Sequence, residues 1–213
     1  MNSKIFDDNI ETLIHLFKEN KVEPRIDRLR DIFHSVELAW YRNLSRFDGK
    51  RIGKILIGEA APWSENGLPR YFYNRIESRY HNRIWKGINP DICLPSDHEK
   101  AYRMLAAKGF LLIDSLPYSM NYKGKMSNKY YIQLIQNSLL WWIEKLNNCG
   151  LDFEDKLSIA FAFKINGKSI MNELNHNLKL KGKEALPLSD NLISADGSGF
   201  TNSNYLSKIL EIN

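Results

Sequence analysis

Cysteine is scarce in this chain: Cys93 and Cys149 are the only two among 213 residues. They stand far apart and in no ligand spacing, which argues against a disulfide framework, a cysteine-ligated zinc site and an iron–sulfur cluster. Apolar runs are all far too short to span a bilayer, so no membrane association is expected. The segment from Met1 to Asn9 lacks the basic-then-apolar order of a secretory signal, and a cytoplasmic location is the simplest expectation. The five histidines, His15, His34, His81, His98 and His176, show no metal-ligand spacing, and none falls at a strand end. Neither a Gly-x-Ser-x-Gly elbow nor a dinucleotide glycine fingerprint is present, so a serine hydrolase and a nicotinamide enzyme are disfavoured. No metal or cofactor is expected.

What the chain does have is enough length for one sizeable core. Its hydrophobic fraction of 43% and charged fraction of 26% are those of an ordinary globular protein. The net charge of +5 is compatible with a polyanionic partner and does not by itself indicate one. Asp8-Asn9-Ile10-Glu11 reads as a capping box opening a first helix, and Leu29, Ile32, Phe33, Val36 and Trp40 share one face of a second over 26–46. Apolar runs at 52–57, 110–114 and 157–163 read as buried strands, and a short fourth ends near 186–188. Between them lie predicted helices over 71–85, from a second capping box, Pro95-Ser96-Asp97-His98-Glu99, to Gly109, over 127–148 and over 168–178; a last one covers 203–212. Alternating strands and helices demand crossover connections. They predict an α/β fold: three layers, α/β/α, around a central, mostly parallel four-stranded sheet. A single domain over 1–213 is expected, with 1–46 as an N-terminal helical cap.

In such a sheet the four strand-to-helix loops open on one edge, where sites form. The first is the most informative. Lys54-Ile55-Leu56-Ile57-Gly58-Glu59-Ala60-Ala61-Pro62-Trp63 runs from a buried strand into a carboxylate and a proline, and Gly67 to Tyr73 then ends in Tyr71, Phe72 and Tyr73. Those rings read either as a stacking surface for a planar ligand or as core. Glu59 can hold water or a cationic group, or merely accept backbone N–H bonds. Asp114 closes the second strand, where a carboxylate is costly unless partnered. It reads equally as an acceptor for a polar ligand edge and as a cap or ion-pair partner. The third loop, Ala162-Phe163-Lys164-Ile165-Asn166-Gly167-Lys168-Ser169, is a near miss to a phosphate-cradling loop, with Ala162 in place of the first glycine; a nucleotide triphosphatase is disfavoured. The fourth, from Ser189 to Ser203, is small and polar, suited to wrapping a backbone phosphate or to being a surface turn.

Taken together, these segments resemble the uracil-DNA glycosylase superfamily, over about 52–212. Residues 55–62 are similar to its first motif, a strand entering Gly-Glu-Ala-Pro, here with an extra alanine before Pro62. The segment 67–73 is similar to the stretch bearing a base-stacking Phe, which implies Phe72 or else Tyr71. Strand 110–114 resembles the one ending in a base-reading Asn, and that position is Asp114. Pro187-Leu188-Ser189 and 199–206 resemble the final motif and its helix. The resemblance thus implies Glu59 as the catalytic residue, Gly58, Pro62, Tyr71, Phe72 and Asp114 around a base, and Ser189, Ser198, Gly199 and Ser203 on the nucleic-acid backbone. It implies a monomeric, metal-free enzyme of DNA repair that excises a base from lesion-containing or single-stranded DNA. Two departures stand out: the family's water-activating Asp is replaced by Ala60 or Ala61, and its final-motif His has no counterpart near Pro187. An inactive nucleobase- or nucleic-acid-binding module of the same fold is the alternative. An ionised Asp114 only accepts hydrogen bonds, so it suits an amino-bearing base unless burial raises its pKa.

Overall fold

The structure, a computed structural model, describes residues 4–19, 21–63, 68–74, 79–117, 119, 129–148, 150–162, 184–185 and 206–207. In chain order the elements are α1 (Lys4–Glu19), α2 (Ile26–Leu44), β1 (Ile52–Gly58), α3 (Arg79–Ile88), α4 (His98–Ala107), β2 (Phe110–Asp114), α5 (Lys129–Asn148), β3 (Phe153–Phe161) and β4 (Glu184–Ala185). The four strands form one sheet in the order β2-β1-β3-β4, and every neighbouring pair is parallel. The fold is therefore α/β with a small parallel sheet. Because β1 lies inside the sheet, Ile55, Leu56 and Ile57 are covered on both faces and fully buried. This explains why three consecutive apolar residues, Ile55, Leu56 and Ile57, stand here without alternation.

Pairing fixes what stands beside what. In the register of β1 with β2, Ile57 faces Ile113 and Gly58 faces Asp114. Pairing continues past the strand ends: Ser115 N–H donates to Gly58 O (2.8 Å) and Leu116 N–H to Glu59 O (2.9 Å). The two loops thus leave the sheet side by side. On the other flank Ala162 N–H donates to Ile57 O (2.9 Å), so the third loop starts at the same edge. β2 is an edge strand, whose outward amides need other partners. Tyr73 supplies one, its hydroxyl oxygen accepting from Leu112 N–H at 2.7 Å.

Several helix boundaries follow local chemistry. Asp97 caps α4 by accepting from the amides of Glu99 and Lys100. Gly109 adopts φ +68° between α4 and β2, where a Cβ would press on Arg51 O, so glycine is required on both counts. Others do not follow it. The first helix begins at Lys4, ahead of the predicted capping box, whose residues lie within the helix. Asn9 is fully buried, donates to Ser138 Oγ (3.4 Å) and accepts from Asn137 Nδ2 (2.9 Å), clipping α1 to α5. The third helix starts at Arg79, whereas the segment of Tyr71, Phe72 and Tyr73 is a turn. Strand β3 begins at Phe153, four residues before the apolar run, with a register irregularity against β1 near Gly53. The predicted helix over 168–178 and nearly all of that over 203–212 lie outside the described residues.

Among the described residues no helix is long and apolar enough to cross a membrane. The helices α1 and α2 share one core with the sheet: Phe6, Leu13, Phe33 and Trp40 belong to the same buried cluster as Ile55, Leu112 and Ile159.

Candidate functional site

The carboxyl ends of β1 and β2 bring two acids together. Glu59 follows Gly58, and Asp114 stands opposite Gly58 in the register. The Asp114 side chain leans across the Gly58 backbone and fills the space a Cβ would need there, so Gly58 is what lets the carboxyl lie flat on the strand end. Asp114 remains partly exposed, although protein surrounds most of it. Burial, with a smaller contribution from the Glu59 charge, pushes its pKa up to about 7. Burial also raises the pKa of Glu59, and the Tyr131 hydroxyl of α5, which donates to Glu59 Oε1, opposes that rise. Asp114 makes no hydrogen bond to any described residue.

Phenols line the same place. Tyr71, Tyr73 and Tyr80 all feel the Asp114 charge, and burial drives each pKa upward, so they stay neutral. Tyr80, near the start of α3, keeps partial exposure. Ser115 Oγ donates to Gly58 O (2.9 Å), and Ser119 Oγ to Pro62 O (3.1 Å), which ties the second loop to the first.

The structure corrects the role expected of Phe72. Its ring is 5% exposed and lies inside the core. His81 of α3 stacks on one face at 4.6 Å between centroids and 6° between planes, and Tyr73 and Tyr80 meet it edge-on. The backbone is pinned as well. The Phe72 carbonyl accepts from Tyr102 Oη and from His81 Nε2 (2.8 Å), which must carry the ring hydrogen because a carbonyl only accepts. Tyr71 is likewise buried, at 1% exposure, and is no open stacking face. Apolar area gains more from this packing than from facing solvent, and a ring after a proline loop carries no mark of which way it turns.

Of the other expected residues, Gly58 and Glu59 sit at the strand end beside Asp114, while Pro62 is exposed and its carbonyl accepts from Ser119 of the second loop. Ser189, Ser198, Gly199 and Ser203, and the third loop beyond Ala162, lie outside the described residues. Sequence reasoning missed Tyr80, His81 and Tyr131. All three are helical residues, and nothing in a helical pattern marks a side chain that reaches a strand end. Among the described residues no three His, Cys, Asp or Glu side chains gather as they would around a metal ion.

Chemically, two adjacent acids with raised pKa values can hold and move a proton near neutral pH. The glycine beneath one of them makes room for the Asp114 carboxyl against the backbone. No family model, no curated protein and no solved structure matches this chain.

Proposed function

We propose that this protein hydrolyses the N-glycosidic bond of a damaged or deaminated nucleobase in DNA, with a fold of the uracil-DNA glycosylase type. The observation that carries the reading is the juxtaposition of Glu59 and Asp114 at neighbouring parallel strand ends, where Asp114 keeps partial exposure. Cleavage of such a bond develops oxocarbenium character on the sugar and negative charge on the leaving base. Glu59, oriented by Tyr131, positions water and offers negative charge to the sugar. Asp114 meets the polar edge of the base. Its raised pKa removes the objection that a carboxylate would repel a carbonyl oxygen, because the neutral acid donates. Tyr80, partly exposed beside Asp114, takes the place of Phe72 as the aromatic wall.

A second reading is favoured by one observation. Phe72 is closed by His81, and the residues after Glu59 are alanines, so the site has fewer reactive groups than the resemblance implies. That reading is a nucleobase-binding module without cleavage. Duplex and single-stranded oligonucleotides carrying uracil, hypoxanthine, xanthine or mismatches separate the two. The enzyme yields alkali-labile sites that vanish in Glu59→Gln; the module binds and leaves every strand intact under alkali.

A further inference from the structure

The exposed face of α3 carries charge of one sign. The helix holds Arg79, Arg83 and Lys86 and no Asp or Glu, whereas α1, α2, α4 and α5 each mix bases with acids. The three bases stand at i, i+4 and i+7, so they line one face over two turns. Arg79, Asn82 and Lys86 are exposed and Arg83 is half-buried, while the opposite face, with His81, Ile84, Trp85 and Ile88, is buried. The segment ahead adds to the charge: Arg70 is exposed, and residues 70–90 contain five bases and one acid. Resting on the nucleic-acid reading above, we propose that the Arg79–Lys86 face of α3 is the surface that holds the phosphate backbone of a nucleic-acid strand beside the site.

Such a helix is arranged against its own stability. Like charges at i,i+4 and i,i+3 repel, and a cation in the first turn opposes the helix dipole. A row of phosphates removes both costs. The two turns from Arg79 to Lys86 cover about 10 Å, roughly the axial length of three phosphates in one strand. The face also lies where a strand must pass. Tyr80 follows Arg79 directly, is half-exposed, meets Phe72 edge-on at 6.3 Å and feels the Asp114 charge, so the start of α3 adjoins the two acids. Glu59 and Asp114 attract no polyanion, and a cationic surface beside them supplies that attraction.

An anionic membrane is the other polyanion a basic helix can meet. A helix at a membrane surface needs an apolar face for the lipid. The apolar face of α3, Ile84, Trp85 and Ile88, is committed to the core, and none of its exposed residues is apolar. A nucleic-acid strand is therefore the better fit.

The test is fluorescence anisotropy of a labelled single-stranded oligonucleotide titrated with the full chain over a range of salt concentrations. Each base that meets a phosphate contributes about 0.7 to the steepness of log K against log salt for a single strand. Arg79→Gln with Lys86→Gln is expected to lower that slope by about 1.4 and to weaken binding roughly 10- to 30-fold near 0.1 M salt. Arg42→Gln with Lys100→Gln removes the same two charges from exposed positions on α2 and α4 and is expected to leave the slope unchanged. If the α3 double variant does not fold, Arg79→Gln and Lys86→Gln singly are each expected to lower the slope by about 0.7. An unmoved slope in the α3 variants, or an equal fall in both doubles, overturns the proposal. Binding to phosphatidylserine vesicles that the α3 double abolishes, with none to the oligonucleotide, overturns it in favour of a membrane. Failure of the hydrolysis reading looks different: no base is released from any lesion-bearing strand while the α3 double still lowers the slope. Base release with an unmoved α3 slope leaves that reading standing and removes this surface.

Discussion

Two acidic side chains in this molecule live under opposite rules. Glu99, in the first turn of α4, is 48% exposed and meets two cations: Arg46 Nη2 at 2.8 Å and Arg103 Nε at 3.0 Å. The Arg46 hydrogen bonds, outweighing a small cost of burial, hold its pKa below the usual carboxylate range. Asp114, at the end of β2, is surrounded by phenols and a second acid, and its pKa is pushed the other way. The first carboxyl is a fastener. It fixes Arg46, whose guanidinium lies over Tyr102, which in turn donates to the Phe72 carbonyl. The second has no fastening role among the described residues, and keeping it there is unfavourable to the fold. An acid held this way is the kind of group that functional sites collect.

The comparison breaks most visibly in activity. Replacing Glu59 by Gln is expected to lower base release by about 10²- to 10⁴-fold, the range for losing a general acid or base. Replacing Glu99 by Gln is expected to leave the rate within a few-fold. Kinetics on a lesion-bearing oligonucleotide checks both, and equal losses would erase the distinction.

Stability against pH sharpens it. With a folded pKa near 7 and an ordinary unfolded value, Asp114 costs nothing below about pH 4 and costs progressively more up to about pH 7. Asp114→Asn is therefore expected to stabilise the fold at pH 7–8 by up to a few kcal/mol, because each tenfold change in proton affinity is worth about 1.4 kcal/mol, and to change little at pH 4. Glu99 has the opposite slope: its contribution is present above the ordinary carboxylate value and fades as pH falls through its lowered one. Urea unfolding of both variants at three pH values reads the two signs.

Gly58→Ala is a gentler intervention. The new Cβ displaces the Asp114 carboxyl while the nearest backbone atom, Ile113 O, stays at an ordinary 3.8 Å. Base release is expected to drop about 100-fold, the usual scale for a misplaced group, with unfolding stability nearly unchanged. A variant that retains full activity would show that the Asp114 position is immaterial. The smallest effect is expected for the stability of Glu99→Gln at neutral pH, about 1 kcal/mol or less and smaller still in high salt, as for half-exposed ion pairs.

The elements that were legible from the sequence are those whose signals are local. The apolar runs of β1 and β2, the capping segment from Pro95 to Glu99 and the Gly109 turn each need only a few consecutive residues. So do Gly58 and Glu59 at a strand end, and Asp114 directly after four apolar residues. What was not legible depends on partners distant in the chain. Nothing around Asn9 in the chain announces that Ser138 and Asn137 bond to its side chain. The start of β3 is polar, with Glu154 and Asp155 exposed, so no apolar run announces it. Phe72 and His81 each look available until they stack on one another. Tyr131 reaches Glu59 across 72 residues of chain, and no spacing encodes that.

The account rests on Glu59 and Asp114 acting as a pair, and carbon-13 NMR titration of the Asp114 carboxyl tests this most directly, in the wild type and in Glu59→Gln. A midpoint near 7 that falls when Glu59 is neutralised is the predicted result. A midpoint near 4 in both proteins would contradict it.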